Sequence, residues 1–309
     1  MNKDVIITAG PTYLDIDAYA CAVAMAELLR LKGVKAVAYS KAPCNYSICG
    51  SLIKEGQILK NLPKDFDSEK SEYIVVDVSD PEFLKGSLPL ERVCQIYDHH
   101  TGAEKYWSER IGENSHIEFI GAAATLIYRE WKKSGLQKSM ERSTALLLIA
   151  AILDNTLNLT SSNTTEEDVE AFNELCQNEN IGEEWCAAYF DEVQTLVEAD
   201  LKNALFGDMK LISNSSMLPK RVAQLCVWDA KRLLEKLYLI RQWFNNSENP
   251  ESWMINVIDI KHHRSYFVCD DSYYQKKLSG VFGVEFETGV AKTAVPYLRK
   301  EIIKKTTSN

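Results

Sequence analysis

Three short apolar segments, each leading to aspartate, constrain the fold of this chain more than any other feature. They are Val5–Ala9, Tyr73–Asp77 and Val93–Ile96. Apolar runs of this length are typical of strands in a parallel sheet that is covered on both faces. The Ala- and Leu-rich segment Ala18–Leu29 has small residues on every side and predicts a buried helix after the first strand. These segments together predict an α/β fold with a mainly parallel sheet.

Acidic and imidazole side chains stand where the predicted strands end. They are Asp15 and Asp17 after the first segment, Asp77 at the end of the second, and Asp98, His99 and His100 after the third. In open parallel sheets, ligands bind beside the carboxyl ends of the strands. Carboxylate and imidazole groups together suit ions such as Mn²⁺, Zn²⁺ or Fe²⁺. The sequence therefore predicts a metal site at this edge of the sheet.

Each of these side chains also has a simpler explanation. An Asp-His-His triplet alone is most often a solvated loop, and one of the two aspartates after the first strand is expected to cap the helix. The recurrence of the pattern on several strands favours a metal. Asp154 supports it, because aspartate at the end of the apolar helix Thr144–Leu153 conflicts with the helix dipole unless a cation is near. By contrast, Thr164 and Glu167 form a capping-box pattern that needs no functional explanation.

Composition and charge exclude several classes of function. The net charge is −9 and the pI is about 5.2, which disfavours long nucleic acids as partners. The eight cysteines form no Cys-x-x-Cys pair, so a zinc ribbon or redox motif is not indicated. The chain shows no signal-peptide pattern and no apolar run as long as a membrane span. We therefore expect a cytoplasmic protein without a membrane partner.

The order and spacing of the acidic motifs resemble those of the DHH phosphoesterase superfamily. The motifs are Asp15-Ile16-Asp17, Asp77, Asp98-His99-His100 and Asp154. The superfamily includes manganese-dependent family II inorganic pyrophosphatases, exopolyphosphatases, prune-like proteins, and the RecJ and oligoribonuclease branch. The resemblance covers residues 1–190 and implies an N-terminal DHH domain with a Rossmann-like, mainly parallel sheet.

The C-terminal part resembles the DHHA2 domain of the pyrophosphatase and exopolyphosphatase branch. Asp200-Leu201-Lys202 looks like the Asp-x-Lys element of that domain, and the segment from Val281 to Leu298 looks like its closing segment. The glycine-rich C-terminal motif of the nuclease branch is not found in this sequence. The resemblance implies a second, smaller α/β domain, over residues 200–309, that grips the substrate.

For the metal ligands, the resemblance implies two ions, Mn²⁺ or in its place Mg²⁺ or Co²⁺. The implied ligands are Asp77 as the bridge, Asp15 on the first ion, and Asp17, His99 and Asp154 on the second. Two such ions can lower the pKa of a bridging water and stabilise both the attacking and the leaving oxygen.

Substrate contacts are implied for residues of both predicted domains. His100 would face the substrate as a proton donor or phosphate hydrogen-bond donor, and Asp98 would support the motif. Lys202 and Lys292 would grip phosphate oxygens as point charges. Arg299 follows Lys292 and is a further candidate for this grip.

The sequence departs from the family pattern in two places. Pro11 stands where the family's pyrophosphatases have a histidine, so one metal site would lose a ligand or gain a water. Gly289–Lys292 maps onto the family's Ser-Arg-Lys-Lys element and keeps only Lys292, a loss for which Arg299 or Lys300 could compensate. A separate basic run, His262-His263-Arg264, is by default a solvated turn, with phosphate contacts as the alternative.

These observations lead to one main hypothesis and two alternatives. The main hypothesis is a metal-dependent hydrolase of phosphoanhydride bonds in inorganic polyphosphate or pyrophosphate. The alternatives are a phosphodiesterase for short oligonucleotides or cyclic dinucleotides, and a degenerate member that binds anions or a protein partner. Aromatic residues of the C-terminal half, such as Tyr273 and Tyr274, are expected in the core, with a homodimer as the alternative.

Overall fold

The computed structural model describes residues 4–53, 59–213, 215–245 and 251–307. The chain divides into two compact units, Met1–Tyr189 and Phe190–Asn309, and each unit contains its own sheet. The division falls within helix α7 (Glu183–Ala199). No helix in the described ranges is long and apolar enough to cross a membrane.

The first unit alternates strands with helices. Its elements are β1 (Val5–Thr8), α1 (Ile16–Leu31), β2 (Ala36–Ala38), β3 (Glu72–Val76), α2 (Pro81–Leu84), β4 (Val93–Asp98), α3 (Glu104–Ile111), β5 (Ser115–Ile117), α4 (Ala123–Ser134), α5 (Arg142–Asn155) and α6 (Glu166–Glu179). The strands pair in parallel in the order β2-β1-β3-β4-β5. The predicted α/β class with a parallel sheet is therefore confirmed.

The strand order changes direction between β1 and β3. The chain passes from β1 outward to β2, then returns to place β3 on the other side of β1, and β4 and β5 follow outward from there. The loops after β1 and β3 therefore leave the sheet on opposite sides and open a crevice between them. Such a switch point is where open α/β sheets bind ligands.

Helix α1 is buried along nearly its whole length, as its small side chains predict. It packs against α4 and α5, because alanines let neighbouring helices approach closely. The Trp131 indole of α4 donates a 3.2 Å hydrogen bond to the Ala24 carbonyl of α1. The buried Glu27 carboxylate of α1 accepts hydrogen bonds from the Thr144 hydroxyl and the Glu141 backbone N–H at the start of α5. These polar links hold α1 against α4 and against the start of α5.

The capping box of α6 lies one residue later than predicted. Thr165 is the N-cap, and it exchanges hydrogen bonds with Asp168, whereas the sequence pattern indicated Thr164 and Glu167. The buried Asp168 also accepts hydrogen bonds from Gly121 and from Thr125 of α4, described below, which favours this register.

The second unit is built on a mixed sheet. Its elements are α8 (Leu201–Gly207), β6 (Lys210–Leu211), β7 (Arg221–Val227), α9 (Ala230–Leu234), α10 (Leu237–Asn245), β8 (Trp253–Asp259), β9 (Arg264–Val268), α11 (Ser272–Phe282), β10 (Phe286–Glu287), β11 (Val290–Lys292) and α12 (Arg299–Thr307). The strand order is β10-β11-β9-β8-β7-β6; β7 and β8 are parallel and the other pairs are antiparallel. Every residue of β8 is buried, so this strand forms the centre of the unit.

Candidate metal centre

Asp77 and His99 lie side by side at the switch point and form the core of the site. Asp77 follows β3 directly, and His99 follows β4. Asp77 Oδ1 and His99 Nε2 are 3.4 Å apart, and both side chains are more than nine-tenths buried. Neither atom has a hydrogen-bond partner within the described ranges.

The tautomer of His99 makes this contact unfavourable without a cation. Its Nδ1 lies 3.2 Å from the Ile120 carbonyl oxygen, so Nδ1 carries a proton, and in the neutral ring Nε2 presents a lone pair. A carboxylate oxygen and a nitrogen lone pair then face each other in a water-poor site, where unpaired polar atoms are costly. A metal ion between the two atoms would satisfy both, so these residues fit a metal.

The backbone of Asp77 holds this arrangement. Its φ is 58°, in the left-handed region, which is uncommon for a residue other than glycine. The Asp77 N–H donates a 2.8 Å hydrogen bond to the Tyr97 carbonyl of β4 and so keeps the residue beside the neighbouring strand. Burial raises the pKa of Asp77 well above its usual value, and the negative charges of Asp15 and Asp17 raise it further, against an opposing effect of His100.

Asp98 holds His100 in a fixed orientation. The fully buried Asp98 Oδ1 accepts hydrogen bonds from the His100 backbone N–H at 3.0 Å and from Nδ1 at 2.9 Å. The bond to Asp98 raises the pKa of His100. Burial acts to raise the pKa of Asp98, but the hydrogen bonds from His100 outweigh it and lower that pKa. Asp77, His99 and His100 each offer one ligand atom within a mutual distance of 4.8 Å.

Asp15 and Asp17 both lie at the start of α1, but they accept hydrogen bonds from the backbone of different helices. Asp15 is the N-cap and accepts a 3.0 Å hydrogen bond from the Ala18 N–H. Asp17 is fully buried, and its two oxygens accept 2.8 Å hydrogen bonds from the N–H groups of Ala123 and Ala124 at the start of α4. Burial raises the pKa of Asp17 to about 6 and the charge of Asp15 adds to the rise, against the opposing effects of His99 and of these hydrogen bonds.

Asp154 lies in the last turn of α5, where the sequence predicts an unusual charge. The Tyr189 hydroxyl donates a 3.3 Å hydrogen bond to Asp154 Oδ1. Burial raises the pKa of Asp154 to about 7, and the charges of Asp15 and Asp17 add to that rise. In the part of the chain that the structure describes, no Lys or Arg forms an ion pair with the aspartates of the centre. The carboxylates therefore repel one another, and the side chains whose electrostatic effect opposes this repulsion are His99 at Asp17 and His100 at Asp77.

Asp168 supports the site, although the sequence analysis did not include it among the site residues. Asp168 is fully buried and accepts hydrogen bonds from the Gly121 N–H at 2.9 Å and the Thr125 hydroxyl at 2.6 Å. A Cβ at Gly121 would lie 2.6 Å from Asp168 Oδ2, so the close approach requires glycine. Asp168 thereby fixes the segment that supplies the Ile120 carbonyl to His99 and the N–H groups to Asp17. Such outer partners orient ligands in metal sites, but in the sequence Asp168 looked like part of a helix cap.

The remaining predicted site residues belong to the second unit. Lys202 is exposed in the first turn of α8, and Lys292 is exposed at the end of β11. Arg299 begins α12 and is largely buried, with its guanidinium bound to the Asp208 carboxylate and, at 2.6 Å, to the Asp208 carbonyl oxygen. The substrate roles of these three residues stay predictions.

Comparison with known proteins shows what the chain is similar to. No protein-family model matches it. It is 28% identical over 170 residues to a probable manganese-dependent inorganic pyrophosphatase of Bacillus licheniformis, an alignment covering 55% of this chain and 54% of the relative. It is 23% identical over 244 residues to a probable manganese-dependent inorganic pyrophosphatase of Exiguobacterium, covering 75% of this chain and 74% of the relative.

Solved structures show the same fold over nearly the whole chain. A protein of Methanococcus jannaschii assigned to the family II inorganic pyrophosphatases superposes with a TM-score of 0.65 at 18% identity, covering 98% of each chain. An exopolyphosphatase-related protein of Bacteroides fragilis superposes with a TM-score of 0.53 at 11% identity, covering 98% of this chain and 90% of that one. The expected resemblance to the DHH superfamily is therefore confirmed.

Proposed function

We propose that the protein is a metal-dependent hydrolase of phosphoanhydride bonds in pyrophosphate or inorganic polyphosphate. The facing lone pairs of Asp77 and His99 carry this proposal, because a buried pair of acceptors at a switch point calls for a cation. The relatives named as manganese-dependent inorganic pyrophosphatases support Mn²⁺ as the ion and pyrophosphate-like compounds as the substrate.

The ligand set that we propose follows the resemblance. It consists of Asp77 between two ions, Asp15 on one, and Asp17, His99 and Asp154 on the other. When bound, the ions supply a water of lowered pKa and neutralise the charge of the phosphates. Pro11 offers no ligand in place of the family's histidine, so one of the two metal sites would lose a protein ligand or gain a water in its place.

His100 is proposed to move a proton at a phosphate oxygen. Its imidazole is held at Nδ1 by Asp98, and 64% of the side chain is exposed, so a substrate can reach it. A histidine with a raised pKa retains a proton that it can donate to a leaving phosphate. We propose Lys202 and Lys292 as phosphate contacts, whereas we assign Arg299 to holding Asp208 within the second unit, because its guanidinium is already bound there.

The test is phosphate release by the chain after removal of metal with EDTA and addition of Mn²⁺ or Mg²⁺. Pyrophosphate, tripolyphosphate and long polyphosphate serve as substrates. Asp77→Asn should abolish release, whereas the matched variant Asp65→Asn, at an exposed aspartate of the same unit, should not. Absence of release from a folded, metal-bound chain would refute the proposal, and release of mononucleotides from short RNA would favour the phosphodiesterase.

A further inference from the structure

A second Asp–His pair lies in the second unit, outside the proposed centre. Asp259 is the last residue of β8, and His262 lies in the turn to β9. Asp259 is 1% exposed, and its Oδ1 accepts hydrogen bonds from the His262 backbone N–H at 3.0 Å and from Nδ1 at 2.9 Å. The buried carboxylate therefore fixes the orientation of a half-exposed imidazole.

The imidazole borders a cavity of about 650 Å³. The lining residues are Asp229, Lys231, Leu234, Glu235, Asp259, His262, Arg264 and Tyr266. This volume lies within the range of small-molecule sites in proteins. The lining comes from α9, from the end of β8 and from β9, so that residues distant in sequence converge on one cavity.

The cations of the cavity have free donors, whereas its inner carboxylates are already engaged. Asp229 Oδ1 caps α9 by accepting from the Lys231 N–H at 3.0 Å, and its Oδ2 lies 3.6 Å from the Lys261 ammonium. Arg264 donates from Nε to the His262 carbonyl at 3.0 Å, which leaves its terminal nitrogens available. No carboxylate in the described ranges pairs with the side chain of Lys231 or Arg264.

A metal ion fits this cavity less well than an anion does. Asp229, Asp259 and His262 have ligand atoms within 4.8 Å of one another. However, His262 Nδ1 lies 2.9 and 3.0 Å from the two Asp259 oxygens, so the buried carboxylate has its donor, and none of the three residues has a buried side-chain polar atom without a partner in the described ranges. Lys231 and Arg264 would also repel a cation. Among the carboxylates that line the cavity, the exposed Glu235 alone has no ion-pair partner in the described ranges, and it would repel an anion.

We propose that this cavity binds a phosphate group through Lys231, His262 and Arg264, at a site formed by residues of the second unit alone. Arginine and lysine are the usual ligands of phosphate oxygens, and the Tyr266 hydroxyl offers a further donor. The ligand is either free phosphate or the end of a longer phosphate chain.

The test is calorimetric titration of the full chain with inorganic phosphate in the presence of EDTA, so that no metal contributes. We expect saturable binding of phosphate. Lys231→Gln and Arg264→Gln should each weaken the affinity about tenfold, because each removes one charge-assisted hydrogen bond. Lys210→Gln removes the same charge from an exposed lysine on β6, away from the cavity, and should leave the affinity unchanged. Asp77→Asn should also leave it unchanged, which separates this proposal from the proposed hydrolysis.

Three outcomes would overturn the proposal. They are absence of saturable phosphate binding, equal affinity in parent and Arg264→Gln chains, and loss of phosphate binding in Asp77→Asn. Mn²⁺ binding that persists in Asp77→Asn and disappears in Asp259→Asn would identify a metal site instead. Tripolyphosphate binding more tightly than phosphate would identify the ligand as a chain end, and equal affinities would identify it as free phosphate.

Discussion

The two Asp–His pairs have nearly the same local geometry in different surroundings. Asp98 accepts from the backbone N–H and Nδ1 of His100 at 3.0 and 2.9 Å, and Asp259 accepts from His262 at the same two distances. Both aspartates are the last residues of buried strands. The pair alone is therefore a way to fix an imidazole at a strand end and does not specify a ligand.

The neighbours of each pair decide which charge it attracts. Beside Asp98 and His100 lie carboxylates with raised pKa values and the orphaned contact of Asp77 with His99. Beside Asp259 and His262 lie Lys231 and Arg264. Within the described ranges, the first group has no lysine or arginine partner, whereas the second has a lysine and an arginine without carboxylate partners. The same Asp–His geometry can thus serve a metal in one unit and an anion in the other.

Removal of a metal ligand should give the largest difference between the pairs. Asp77→Asn is expected to weaken Mn²⁺ binding by more than about 100-fold, since loss of an outer partner of a metal ligand already costs about 10–100-fold. His262→Gln should leave Mn²⁺ affinity and stoichiometry unchanged. Calorimetric titration of EDTA-treated chains measures both. A lower Mn²⁺ stoichiometry in His262→Gln would break the comparison, because both pairs would then bind metal.

Replacing the aspartate of each pair by asparagine should affect a different property: kcat in the first pair and phosphate binding in the second. Asp98→Asn is expected to lower kcat for pyrophosphate by about 10–100-fold, because it removes the carboxylate that orients His100, with little change in KM. It should leave phosphate binding in EDTA unchanged. Asp259→Asn should weaken that phosphate binding. Steady-state kinetics over a pH range and calorimetry give the two readouts, and a uniform loss of both in either variant would indicate misfolding rather than orientation.

The smallest expected effect is a pH dependence of stability in the metal-free chain. The pKa of Asp17 is raised to about 6 and that of Asp154 to about 7, both above the values in an unfolded chain. Between pH 4 and about 7 the native state therefore binds more protons than the unfolded state, so stability falls as the pH rises. The raised pKa of His100 likewise makes stability fall as the pH rises. The lowered pKa of Asp98 has the opposite effect, because its contribution to stability is lost only at lower pH.

Differential scanning calorimetry in EDTA should thus show a melting temperature that declines from pH 5 to pH 7.5. Saturating Mn²⁺ should reverse the trend, because the ion competes with protons for the same carboxylates. A melting temperature in EDTA that rises over this interval would mean that the carboxylates of the centre do not repel one another as described.

Local sequence patterns predicted the strands and the acidic motifs of the first unit well. Continuous apolar runs gave β1, β3 and β4 within two residues, because burial on both faces leaves a direct signature in composition. The order of the aspartates at strand ends then indicated the metal edge. These features depend on residues close together in the chain, which is why the sequence alone exposes them.

Features that depend on distant contacts were not predictable in the same way. Asp168 supports the centre through Gly121, 47 residues away, and the sequence shows it only as part of a helix cap. Arg299 looked like a free cation until its contact with Asp208, 91 residues away, was visible. His262 looked like part of a solvated turn, because the cavity beside it is formed by α9 and β9 together. The sequence also did not reveal the left-handed backbone at Asp77.

The left-handed backbone of Asp77 has a consequence for the stability of the metal-free chain. A non-glycine residue at a positive φ costs about 1–2 kcal/mol, and at Asp77 this cost falls on a carboxylate that its neighbours already repel. Without an ion to bind, replacement by glycine would remove both penalties in a single change. The aspartate thus carries a cost to the stability of the metal-free chain that a bound ion would offset.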